Sequence, residues 1–118
     1  MDFIFNKHGV CLNPETAFDW KDKSRDYYCI EVAQRPDGRW CAGSHVWCGS
    51  GGGGGSANLR GEGYATRVEA VVAEANQLLE RLRREVTRNN ENPAPYRRMI
   101  KKLESQLNQF LTPQLSLF

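Results

Sequence analysis

Apolar and polar residues alternate most cleanly between Tyr27 and Gln34. Tyr28, Ile30 and Val32 fall on one side and Cys29, Glu31 and Ala33 on the other, the two-residue period of a strand. Arg35-Pro36-Asp37-Gly38 follows, with proline and glycine placed as a tight turn requires. From Arg39 to Cys48 the alternation returns. Trp40, Ala42, Val46 and Cys48 face one way, and Cys41, His45 and Trp47 the other. These segments predict an antiparallel hairpin. Upstream, Phe3-Ile4-Phe5 and Val10-Cys11-Leu12 flank Asn6-Lys7-His8-Gly9 and predict a shorter hairpin. Asn13-Pro14-Glu15 reads as the start of a short helical turn through Ala17, Phe18 and Trp20.

Gly49 to Ser56 holds six glycines and two serines, the composition of a flexible linker. It is similar both to engineered linkers and to natural hairpin loops. It is expected to be a long loop between strands. It lacks the Gly-Lys-Ser/Thr ending that would make it a phosphate cradle. Leu59 to Tyr64 predicts one further short strand.

Thr66-Arg67-Val68-Glu69 then has the form of a capping box. Val68, Val71, Val72, Ala75, Leu78, Leu79, Leu82 and Val86 recur at helical spacing, opposite Glu74, Gln77, Glu80, Arg81 and Arg84. Asn89 to Pro95 breaks that helix. A second begins near Pro95, with Tyr96, Met99, Ile100, Leu103, Leu107, Phe110 and Leu111 as its stripe. Two amphipathic helices with a seven-residue connection suggest an antiparallel pair, or one helix on the sheet and the other in a homodimer. The expected class is α+β: an antiparallel sheet of two hairpins, two amphipathic helices and an extended C-terminal tail. Residues 1–111 form the expected domain, with a glycine-rich loop at 49–56, and 112–118 the tail.

Charge adds a direction. The 118 residues carry a net charge of +2, too small to demand nucleic acid. Residues 1–56 hold 6 Lys/Arg against 7 Asp/Glu and residues 57–118 hold 10 against 7, so the excess lies in the helical half. The N-terminus has no signal-peptide character, and no apolar run approaches the roughly 20 residues of a membrane span. A cytoplasmic protein is expected. In that setting Cys11, Cys29, Cys41 and Cys48 read as reduced, largely buried thiols. Zinc is the sharper alternative, but no Cys-x-x-Cys pair exists and the Cys41–Cys48 spacing is poor for a ligand pair. No metal and no cofactor are expected.

Catalytic signals are weak. His8 and His45 have no nucleophile motif around them. Asp19, Asp22, Asp26 and Glu31 resemble a magnesium cluster only until Lys21, Lys23 and Arg25 are counted among them, which suits a solvated loop. For nucleic acid, Tyr27, Trp40 and Trp47 are candidate base-stacking residues. Arg81, Arg84, Arg88, Arg97, Arg98, Lys101 and Lys102 are the candidate phosphate contacts.

The most informative segment is the last. Gln114-Leu115-Ser116-Leu117-Phe118 resembles the bacterial sliding-clamp-binding motif, whose commonest form is Gln-Leu, then Ser or Asp, then Leu-Phe. All five positions agree. A chance match fixed at these positions is on the order of one in a hundred thousand. Pro113 is expected to end the helix, so that the pentapeptide projects extended. The resemblance implies the DNA polymerase sliding clamp as partner. Over residues 28–80 the layout is also similar to short proteins of bacterial phages, plasmids and integrative elements. There a Trp-bearing strand, a glycine-rich loop and Tyr-x-Thr-Arg lead into an Ala-rich helix, here Tyr64-Ala65-Thr66-Arg67 and Glu69-Ala70. The expected function is a non-enzymatic adaptor or modulator docked on the clamp, in mobile-element DNA replication or repair. The alternative is a small DNA-binding protein using sheet aromatics and helix arginines.

Overall fold

The alternating segments become the centre of a sheet. The computed structural model describes residues 2–49, 51–88 and 92–115. Four strands, β1 (Glu15–Lys21), β2 (Tyr27–Gln34), β3 (Trp40–Cys48) and β4 (Gly51–Gly55), precede two helices, α1 (Arg67–Arg88) and α2 (Ala94–Leu115). The strands form one antiparallel sheet in the order β1-β2-β3-β4, and the fold is α+β. The chain divides into two compact units, Met1–Glu74 and Ala75–Phe118.

In the first unit, Tyr28, Ile30 and Val32 of β2 are wholly buried. Opposite them on β3 stand Val46, Ser44 and Ala42. Each large side chain removed from water contributes roughly 1.5–3 kcal/mol, so this face anchors the sheet. The turn into β3 closes as expected. Gly38 N donates to the Arg35 carbonyl at 3.0 Å, with Gly38 at φ +88°.

Residues 15–21 are a strand, where the sequence suggested a helical turn. Phe18 and Trp20 pair with Ile30 and Tyr28, and the Trp20 and Tyr28 rings stack at 5.9 Å. Asp19 and Lys21 are the solvent-facing half of a two-residue period. A register shift between Thr16 and Phe18 interrupts that period and hid it.

The glycine run is likewise no loop. Gly51–Gly55 pairs with β3 from Cys48↔Gly51 to Ser44↔Gly55 and forms the sheet's edge. Its backbone runs too close to β3 for any other residue at two positions. A Cβ on Gly52 would collide with the Val46 carbonyl oxygen and lie 2.8 Å from Trp47 Cα. One on Gly54 would meet the Ser44 carbonyl oxygen and lie 2.8 Å from His45 Cα. Linker composition and close backbone approach select the same residue, so composition alone misreads the segment.

Leu59 to Tyr64, expected as a strand, instead turns. Gly61 and Gly63 have φ +72° and +71°, and the single bridge Trp40↔Tyr64 is its ladder contact among the described residues, with Val10↔Asn58 just before it. Arg35 Nη1 donates to the Gly61 carbonyl at 2.9 Å and Arg39 Nε to that of Glu62 at 2.7 Å, which fixes the turn. The N-terminal hairpin forms about one bridge, Phe5↔Cys11. Phe3 and Phe5 pack there against Cys11, Ala33, Cys41 and Ala57.

α1 starts where the capping box placed it. The Thr66 hydroxyl accepts the Glu69 amide at 3.1 Å, satisfying one orphan donor of the first turn. Arg67 pairs with Glu15 of β1, and Ala70 and Val71 are wholly buried. In the second unit, Leu78, Leu79 and Leu82 of α1 and Met99, Leu103 and Leu107 of α2 are buried. Arg83 and Glu104 join the two helices at 3.4 Å.

Candidate functional site

The C-terminal pentapeptide begins inside a helix. α2 is continuous to Leu115, so the helix expected to stop near Leu111 runs past Pro113. A proline removes one rung of the hydrogen-bond ladder, the one its own N–H would make to Gln109. In a final turn that loss does not stop the backbone from completing the helix. Thr112 Oγ1 bonds back within this turn, donating to the Asn108 carbonyl at 2.7 Å. Ser116, Leu117 and Phe118 lie outside the described residues.

The structure sorts the seven candidate phosphate contacts into two groups. On α1, Arg84 lies 3.9 Å from Glu80 and Arg88 3.4 Å from Glu85, the i,i+4 and i,i+3 neighbours about one helical turn away. Arg81 is half-buried. On α2, Arg97, Arg98, Lys101 and Lys102 are all exposed, and the first turn has no acidic residue. The second unit holds eight Lys/Arg against four Asp/Glu, net +4, while the first holds eight against ten, net −2.

The candidate stacking residues belong to the acidic unit. Tyr27 and Trp47 are cross-strand partners, 39% and 41% exposed. Trp40 is half-buried, its ring edge-on to Phe3 at 6.2 Å. Aromatics and cations therefore fall in different units. A groove of about 420 Å³ lies along Asp19, Trp20, Lys21, Tyr27, Tyr28 and Cys29.

Asp22, Asp26 and Glu31 serve the structure. Asp22 Oδ1 accepts the Ser24 and Asp26 amides at 2.9 and 3.1 Å, and buried Asp26 accepts the Gly49 amide at 2.9 Å. Glu31 Oε1 accepts the Ala57 amide at 3.1 Å and lies 3.7 Å from His45 Nε2. Among the described residues no three His, Cys, Asp or Glu side chains converge as a metal site would. All four cysteines are free thiols. Burial, and then the neighbouring Glu31, pushes the Cys29 thiol up; burial and Cys11 do the same for Cys41. Both changes oppose nucleophilic thiolate chemistry. Among the described residues no helix is long and apolar enough to cross a membrane.

Sequence reasoning did not find the contact between Glu74 and Ser44, 3.2 Å apart. By periodicity Glu74 falls on the polar face of its helix, and nothing local marks it as half-buried. No family model matches this chain, and no curated protein or solved structure matches it.

Proposed function

We propose that the protein is a non-enzymatic adaptor that docks on the bacterial DNA polymerase sliding clamp through Gln114-Leu115-Ser116-Leu117-Phe118. The observation that carries this reading is agreement with the clamp-binding pattern at all five positions. The chemistry supports it. Leu115, Leu117 and Phe118 are three apolar anchors, each contributing roughly 1.5–3 kcal/mol in a partner's groove before ordering costs. The Gln114 amide both donates and accepts, which fixes register. Pro113 leaves the last turn of α2 one hydrogen bond short, so releasing the segment from the helix costs little. Work on mobile-element DNA, in replication or repair, is the setting that the likeness over residues 28–80 favours.

Titration of purified clamp with the intact protein and with a peptide of residues 112–118 tests the reading. Both should bind near micromolar, about −8 kcal/mol. Gln114→Ala, or Leu117→Ala with Phe118→Ala, should abolish binding with the melting temperature unchanged. No binding at tens of micromolar, the weak side of that affinity range, rejects the assignment. Unfolding of the double variant would place these side chains in the protein's own core.

A further inference from the structure

The two edges of the sheet are built differently. β1 carries Glu15, Asp19 and Lys21, a register shift interrupts its ladder between Thr16 and Phe18, and Arg67 pairs with Glu15. Charge and irregularity of this kind keep foreign strands off an edge. β4 has no charge, no proline and no shift in its pairing, and all five of its glycines are exposed.

The bonding of β3 decides which backbone groups β4 turns outward. Trp40 and Tyr64 exchange both backbone hydrogen bonds, at 2.7 and 2.8 Å, so Trp40 faces away from β2. The β2–β3 register runs unbroken from Trp40 to Trp47. By the alternation of an antiparallel ladder, His45 and Trp47 then bond to β2, while Ser44, Val46 and Cys48 bond to β4. Their partners there are Gly55, Gly53 and Gly51. The N–H and C=O groups of Gly52 and Gly54 therefore point out of the sheet, the row of donors and acceptors that an added strand needs.

One side chain stands beside that row. Trp47 is the cross-strand partner of Gly52, and its Cε3 lies 3.0 Å from the point that a Cβ on Gly52 would occupy. The ring fills the space left by the missing side chain and is still 41% exposed. Cross-strand neighbours share a face, so a residue of an added strand opposite Gly52 would direct its side chain toward this ring.

We infer that β4 takes an extended, uncharged segment of another protein as a fifth strand, with a large apolar or aromatic side chain opposite Gly52 packed on Trp47. Main-chain bonds to Gly52 and Gly54 supply affinity, and Trp47 selects the side chain. β4 offers no charge, so a charged side chain directed at it would lose water without a partner. A second copy of this chain is a poorer occupant. β4 against β4 sets glycine opposite glycine, and an edge about 17 Å long is too short for the roughly 800 Å² per partner of a stable dimer. The inference uses no residue of the C-terminal pentapeptide and stands apart from clamp docking.

The probe is the capped peptide acetyl-Thr-Val-Thr-Phe-Thr-Val-Thr-amide, titrated to about 1 mM into the intact isotope-labelled protein and followed by NMR. Binding on the order of 100 µM is expected. At the highest concentration, hydrogen exchange of the Gly52 and Gly54 amides should then slow about tenfold. Replacing the peptide's Phe by Thr, or Trp47→Ala in the protein, should each weaken binding about tenfold. Trp47→Phe should stay within about threefold of the parent, which separates loss of the ring from loss of the fold. Methylating the Phe and Val nitrogens of the peptide removes its donors and should abolish binding. Unchanged Gly52 and Gly54 amides at about 1 mM peptide, at least tenfold above the expected dissociation constant, overturn the inference. So does equal binding of the methylated peptide, or an affinity indifferent to loss of either aromatic ring. Dimerisation through β4 without peptide would give the edge to a second copy instead, and displacement of the peptide by single-stranded oligothymidine would give the Trp47 face to nucleic acid; either result overturns it as well.

Discussion

Ser44, in the middle of β3, donates its hydroxyl to Glu74 of α1 at 3.2 Å, bridging residues 30 apart in sequence. The carboxylate is half-buried there. Burial raises its pKa above 4.5, and the Ser44 hydrogen bond offsets part of that rise.

The pH dependence follows from that direction. A carboxyl group whose folded pKa is raised favours the folded state most when protonated, below its unfolded pKa, and that contribution fades as pH rises through the folded value. Glu74→Gln keeps an acceptor for Ser44 and removes the buried charge. The variant should melt higher than the parent at pH 7, with the difference vanishing below about pH 4, where both are neutral. Thermal denaturation at both pH values checks this; a variant less stable at pH 7 would mean the charge itself is needed.

The edge strand should be sensitive at alternate glycines. Gly52→Ala and Gly54→Ala each force a Cβ into a β3 carbonyl, at a cost of roughly 1–3 kcal/mol in displaced backbone. Gly51→Ala and Gly55→Ala meet no atom within 4 Å and should change stability by less than about 1 kcal/mol. Urea denaturation of the four variants checks the alternation; equal effects at all four would remove β4 from the sheet.

Thr66→Ala should cost about 1 kcal/mol, because the Glu69 amide loses its acceptor. An unchanged denaturation midpoint would mean that α1 begins elsewhere.

Pro113→Ala separates helix from docked peptide. Alanine restores the missing rung and favours the helix by up to about 3 kcal/mol in an interior position, less in a final turn. Clamp affinity should then fall by about tenfold, the equivalent of 1.4 kcal/mol, with contacts in the groove unchanged. Tighter binding by the variant would show that the segment docks as a helix.

What the sequence disclosed depended on whether local pattern and tertiary contact agreed. β2, the turn at Arg35–Gly38 and the Thr66 cap were legible because alternation, turn chemistry and capping are encoded within a few residues. β1 was not, because one register shift broke a seven-residue pattern. β4 was not, because five identical glycines carry no period and their reason lies on β3. The sorting of cations was hidden as well. Arg84 and Lys101 look alike in sequence, and only the carboxylate beside Arg84 distinguishes them.

A strand of five glycines also lacks any way to record its own alignment. Elsewhere in a sheet, a one-residue slip turns every side chain to the wrong face and is resisted accordingly. In β4 the shifted and unshifted pairings present identical residues to β3, so alignment is set from outside the strand. The Ala57 amide on Glu31 and the Ala57 carbonyl that accepts the Cys11 amide at 2.9 Å serve as that reference. Adding or removing a glycine therefore changes the slack between the Gly49 turn and this pin while β4 keeps its chemistry, and Glu31, on a different strand, becomes the residue on which translational order at the sheet's edge depends.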